Sequence, residues 1–227
     1  MKRKTINYIL ITVVIPVLVI LGVVLFKDRK YAVLSIIIAF ISCIPFLYKY
    51  EKRTVSGREI VITAVMTAIS VSGRFVFAAL PGFKPVTAVV VITAIYFGAE
   101  AGFVTGAMSA IVSNIFFGQG PWTPFQMFVW GILGFAAGVT GEKTNWFKNR
   151  IFMCFYAAIA GVAFSLMMDV WTVMAMDGIF NFARYRAAVI SSLPFMAVYA
   201  LSNIIFLLLL EPPIGKKLQR IKVKYGL

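Results

Sequence analysis

Long apolar runs follow one another along this chain with hardly a charge inside them, and that succession decides most of what it can become. Runs over residues 6–26, 31–48, 59–79, 101–117, 123–139, 151–175 and 187–210 lie near the length, about 17–25 residues, that crosses hydrocarbon as a helix. An eighth, over 85–97, is short, which fits a tilted, broken or merged span. Hydrophobic residues make up 61% of the 227 and charged residues 13%, and the mean hydropathy is +0.94. A soluble domain of this size could not hide so much apolar surface, so lipid is the solvent for most of the chain. The expected fold is all-α: a polytopic helical membrane protein.

The net charge of +14 would point to nucleic acid in a soluble protein, but here the topology uses it. With eight spans and the N-terminus in the cytoplasm, the basic stretches at 1–4, 49–58, 143–150 and 216–224 all face inward, as the positive-inside rule asks. An odd number of spans would put the basic tail outside. Both termini are therefore expected in the cytoplasm, with the lipid bilayer and not nucleic acid as partner. The run 6–26 is followed by Lys27-Asp28-Arg29-Lys30 without a small-residue cleavage pattern, so it reads as a retained helix, not a signal peptide. The first two spans are rich in Ile, Val and Leu, whereas small and polar residues become frequent from Gly57 onward. Residues 1–56 thus read as an added transmembrane hairpin and 57–227 as a six-helix functional core.

Several chemistries lack their groups. The chain has no histidine, and Cys43 and Cys154 both sit inside apolar runs, which leaves no His-based metal site, no His-based triad and no disulfide framework. No G-x-x-x-x-G-K-[ST] loop is present, so nucleotide hydrolysis by that route belongs to other polypeptides. Asp169 has no second deep carboxylate for paired acid–base work. No catalytic residue, metal or cofactor is expected.

The polar residues that do lie at depth converge. Counting about 1.5 Å per residue from the cytoplasmic starts of their spans puts Arg74 ~24 Å, Asn114 ~20 Å and Asp169 ~27 Å up. Gln126 and Trp130 occupy the first turns of the span descending from outside, one turn apart. Trp171 lies close to Asp169 in sequence, and the uncharged segment Gly118-Gln119-Gly120-Pro121-Trp122-Thr123-Pro124 joins two spans at that level. Its glycines and prolines make an ordered corner, which fits the wall or lid of a pocket for a neutral, partly aromatic solute. Arg74, Asn114, Gln119, Trp122, Gln126, Trp130, Asp169 and Trp171 are the candidate solute-binding residues. Blander readings stand beside this one. Arg74 and Asp169 would serve equally as a structural ion pair, Asn114 and Gln126 as interhelical hydrogen bonds, and the tryptophans as interfacial anchors. Residues 176–186 form either a lid over the cavity or a solvated connection. Pro212-Pro213 and Gly215 are expected to end the last helix.

Two stripes of small residues allow close helix approach: Ala64 and Ala68 on the first core span, and Gly102, Gly106 and Ala110 on the third.

Residues 57–227 resemble the substrate-binding S-components of energy-coupling factor (ECF) vitamin transporters, in their six spans, cytoplasmic termini and Ala64-x-x-x-Ala68 pair. The segment KPVTAVVVITAIYFGAEAGFVTGAMSAIVSNIFFGQGPWTPFQMFVWG, residues 84–131, is the more specific likeness and is similar to S-components for cobalamin. The resemblance implies docking of Ala64 and Ala68 on a transmembrane T-component, and a complex with two ATP-binding-cassette ATPases in a bacterial inner membrane. It also implies that the S-component turns over in the bilayer to deliver its vitamin. The added hairpin departs from the family pattern. Another cofactor precursor or a nucleobase-like solute is the alternative ligand, and a non-transport membrane scaffold the alternative class.

Overall fold

A computed structural model describes residues 57–226 together with Ile41, Cys43 and Ile44; the hairpin expected over 1–56 otherwise lies outside the described residues. Six α-helices follow: α1 (Gly57–Val76), α2 (Val86–Phe97), α3 (Ala99–Phe117), α4 (Thr123–Lys143), α5 (Arg150–Asp177) and α6 (Phe182–Tyr225), with a 3₁₀ turn at Trp146–Lys148. All except α2 are long and apolar enough to cross a membrane. Short connections make successive helices run up and down. The loops 77–85, 118–122 and 178–181 therefore gather at one end of the bundle, and Gly98, 144–149 and the start of α1 at the other.

The short helix is the central one. Its 12 residues reach only about 18 Å, and ten of them are buried because α1, α3, α4, α5 and α6 all pack around it. Enclosed by protein, it meets little lipid and need not match the bilayer. A single residue, Gly98, joins it to α3 at φ 92°, a backbone state that a side chain would strain.

Glycine sets the tightest contact, the crossing of α3 and α4. A Cβ on Gly106 would lie 2.5 Å from the carbonyl of Trp130, and one on Gly134 would lie 2.6 Å from the carbonyl oxygen of Gly102. Gly138 faces the backbone of Ala99 at 2.3 Å on the same measure. The expected small stripe at Gly102 and Gly106 is thus met by a second one on α4, and the two backbones touch. Gly161 of α5 lies likewise against Ala200 of α6. The outer face of α1, with Ile60, Val61, Ala64, Val65, Ala68 and Ile69, is exposed, while Ile62, Thr63, Met66 and Thr67 turn inward.

Two expectations are corrected. The last helix does not stop at Pro212-Pro213 but runs to Tyr225. Tertiary contacts override the local breaker: Tyr96 donates to Glu211 Oε1 at 2.8 Å, Lys222 Nζ donates to the Tyr96 carbonyl at 2.9 Å, and Leu218 is buried. The segment 176–186 is no lid either, since only Gly178 to Asn181 separates α5 from α6. Asn181 caps α6 through its side chain, and Arg184 pairs with Asp177 at 3.2 Å.

If the α3–α4 crossing sets the packing, Gly106→Ala lowers unfolding stability by about 1–3 kcal/mol, the usual range for overpacking. Gly57→Ala, where a Cβ meets nothing within 4 Å, changes it little. Thermal unfolding of both variants in detergent checks this.

Candidate functional site

Where α1 ends, α2 begins and α4 descends, the helices leave a cavity of about 290 Å³. Its polar lining comes from Arg74, Lys84, Thr87, Gln126, Tyr199 and Asn203, and its apolar lining from Val86, Trp130, Phe164 and Met168. Trp130 and Phe164 stack with ring centroids 5.3 Å apart and planes 14° from parallel, and Tyr199 meets Phe164 edge-on at 5.2 Å. Flat aromatic surface and hydrogen-bonding groups thus share one wall.

Arg74 is the central charge. It donates through one Nη to Asn114 Oδ1 at 2.8 Å and to Ser113 Oγ. The rings of Phe117 and Trp130 lie 4.9 and 5.3 Å from its guanidinium carbon, in reach of cation–π attraction. The Ser113 hydroxyl in turn donates a hydrogen bond to the Ser109 carbonyl at 2.5 Å. Asn114, 1% exposed, donates from Nδ2 to Gln126 Oε1 at 2.8 Å and to Thr123 Oγ1 at 2.9 Å. Thr123 in turn donates to Gln119 Oε1, and Gln119 donates to the Ile111 carbonyl, both at 2.9 Å. A continuous chain of hydrogen bonds therefore links the cavity to the α3–α4 loop.

Lys84 is held by a second arrangement. Its backbone N–H donates to Ser202 Oγ at 2.9 Å, and Ser202 returns a bond to the Lys84 carbonyl at 3.1 Å. The ammonium caps the end of α1 at the carbonyls of Phe77 and Ala78. Burial, and then the nearby Arg74 charge, push the Lys84 ammonium below the ordinary lysine range.

Of the residues expected at the site, Arg74, Gln126 and Trp130 line the cavity, and Asn114 stands directly behind them. The others lie apart. Asp169 accepts from Ser192 at 2.6 Å and forms no ion pair with Arg74: each polar group finds a neutral partner on a neighbouring helix instead. Trp171 packs on Phe125 at 4.9 Å. Gln119 borders a separate, shallow depression of about 620 Å³ beside Pro121 and Pro124, and Trp122 folds over Gly120. Lys84, Thr87, Phe164, Tyr199 and Asn203 were not anticipated. For Tyr199 and Asn203 a signal existed, since they are four apart and share a face of an otherwise apolar span.

A membrane-spanning helical bundle with a ring-lined, donor-rich cavity at one end has the make-up of a membrane-embedded solute-binding component. The chain belongs to the ECF-type riboflavin transporter S component family, whose model matches residues 54–220. It is thus a substrate-specific component of the ECF type, a multi-pass membrane protein. No curated protein and no solved structure matches it.

Ser202→Ala strips both backbone groups of Lys84 of their partner. The expected loss is about 1–3 kcal/mol of unfolding stability, together with faster proteolysis at residues 77–85. Unchanged cleavage there would show that the bond does not hold the loop.

Proposed function

We propose that the chain captures a flavin-type vitamin, riboflavin or a close relative, at the outer side of a bacterial inner membrane. It then delivers the vitamin inward with a T-component and two ATP-binding-cassette ATPases. The observation that carries the reading is the cavity: near the lower edge of the usual range for small-molecule sites, about 300–1,000 Å³, and bordered by the stacked Trp130–Phe164 pair. A planar, uncharged tricycle with a polar edge suits that shape. The family description, which names riboflavin, supports the same choice. Cobalamin, expected from the likeness of residues 84–131, fits less well, because a corrin macrocycle with its nucleotide tail is several times larger than the space available. The energising partners are supported by the family and by the exposed outer face of α1. There Ala64 and Ala68 leave a shallow track between Ile60, Val61, Val65 and Ile69, narrow enough for another helix to approach closely.

Titrating riboflavin into the purified protein, with tryptophan and flavin fluorescence as readout, tests the ligand. Trp130→Ala and Gln126→Ala are expected to weaken binding at least tenfold, or about 1.4 kcal/mol, while Trp122→Ala leaves it unchanged. Tight binding of cobalamin with none of riboflavin would overturn the reading. For the partners, Ala64→Trp and Ala68→Trp should release co-purifying ATPases without changing riboflavin affinity.

A further inference from the structure

Hydrogen-bond polarity can be followed from Arg74 outward. An arginine donates and never accepts, so the Asn114 atom facing it must be the carbonyl oxygen, as the 2.8 Å contact has it. The Asn114 amide nitrogen is then directed away from Arg74, and its two hydrogens go to Thr123 and Gln126. Gln126 can receive that bond only on Oε1, which leaves its own amide nitrogen as the free end. Among the described residues the Gln126 Nε2 has no protein acceptor, and Gln126 lines the cavity. Both amide hydrogens of Asn114 are committed, its oxygen faces Arg74, and it is 1% exposed, so it has little freedom to turn over.

We propose that Asn114 is a positioning residue that sets the cavity's hydrogen-bond polarity: by accepting from Arg74 it turns the Gln126 amide nitrogen toward the ligand, so that Arg74 and Gln126 together present only donors. With two of its hydrogens on the Phe77 and Ala78 carbonyls, the Lys84 ammonium adds a third donor at the same rim. At the rim formed by Arg74, Gln126 and Lys84 the site therefore selects a ligand edge that carries carbonyl-type acceptors and disfavours one that carries amino groups, since facing donors would remain unpaired. The oxygens of Thr87, Tyr199 and Asn203, which can accept, belong to the rest of the lining. This rests on the cavity being the ligand site, and it narrows the substrate class to heterocycles with an acceptor edge, such as a pyrimidinedione ring.

Asn114→Asp keeps the shape of the side chain but reverses the polarity at Gln126 alone, and it sets a carboxylate against Arg74. The aspartate keeps its contact with Arg74 but offers no donor, so Gln126 turns over, donates to residue 114 and shows its carbonyl to the cavity. Two measurements read this. In nanodiscs, hydrogen exchange of ¹⁵N-labelled carboxamides should find the Gln126 amide protons exchanging freely in the ligand-free wild type and protected in Asn114→Asp. Protected Gln126 protons in the wild type, or no change in the variant, would overturn the proposal whatever the ligand is. In binding assays, the wild type should prefer riboflavin to its 4-thio analogue, a weaker acceptor, by at least tenfold, and Asn114→Asp should lower that ratio severalfold. A ratio unmoved by the substitution also counts against the proposal. If riboflavin does not bind but the exchange pattern appears, the polarity assignment stands and the flavin reading falls. Thr123→Val, which removes the other Asn114 acceptor, should leave both the exchange of Gln126 and the ratio as they are.

Discussion

Helices in lipid gain little by burying apolar side chains, since lipid tails are as apolar as leucine; they hold together where they fit closely. In this protein the closest fit is the seam of Gly102 and Gly106 against Gly131, Gly134 and Gly138, where α3 and α4 meet backbone to backbone. The seam decides where everything else goes. It fixes the height of Trp130 relative to Asn114, brings Gln126 within 2.8 Å of Asn114, and with the surrounding helices leaves α2 enclosed at the centre. A bulkier residue anywhere along the seam would part the two helices that carry most of the polar network.

The network's main burden is one cation. A charge at this depth is expensive unless it is solvated by something, and Arg74 is solvated by dipoles and rings: a carboxamide, a hydroxyl and two aromatic faces. An ion pair with Asp169 would have neutralised it. Because Asp169 bonds to Ser192 instead, the guanidinium keeps its charge unspent beside the cavity. That is consistent with a site that attracts electron-rich, acceptor-bearing ligand edges without needing an anionic ligand.

Much of this is legible in the amino-acid sequence alone. Spans could be placed because runs of apolar residues interrupted by Gly, Pro and basic clusters have few alternatives, and α1 to α5 fall close to where hydropathy puts them. Arg74, Asn114 and Gln126 stood out because polar side chains are rare at depth. The failures share a cause. Pro212 and Pro213 carry a strong local signal to stop, yet the contacts of Tyr96 with Glu211 and Lys222 hold the helix beyond them. Phe164 was invisible as a site residue because one more aromatic on an apolar helix looks like core. Lys84 lies between two spans, where a lysine carries no mark of a site, and only the bond to Ser202, far away in sequence, ties it to the cavity.

By itself, then, the order of residues determined the solvent, the helical class, the approximate spans and the small set of polar groups that had to find partners, since each follows from local composition and the cost of polar groups in lipid. Only the tertiary structure decided which partner each group found. Arg74 had two plausible neighbours, Asp169 and Asn114, at similar depth; helix rotation and the glycine seam chose between them. Depth is a one-dimensional quantity that a sequence can carry, whereas facing is set by the packing of several helices at once.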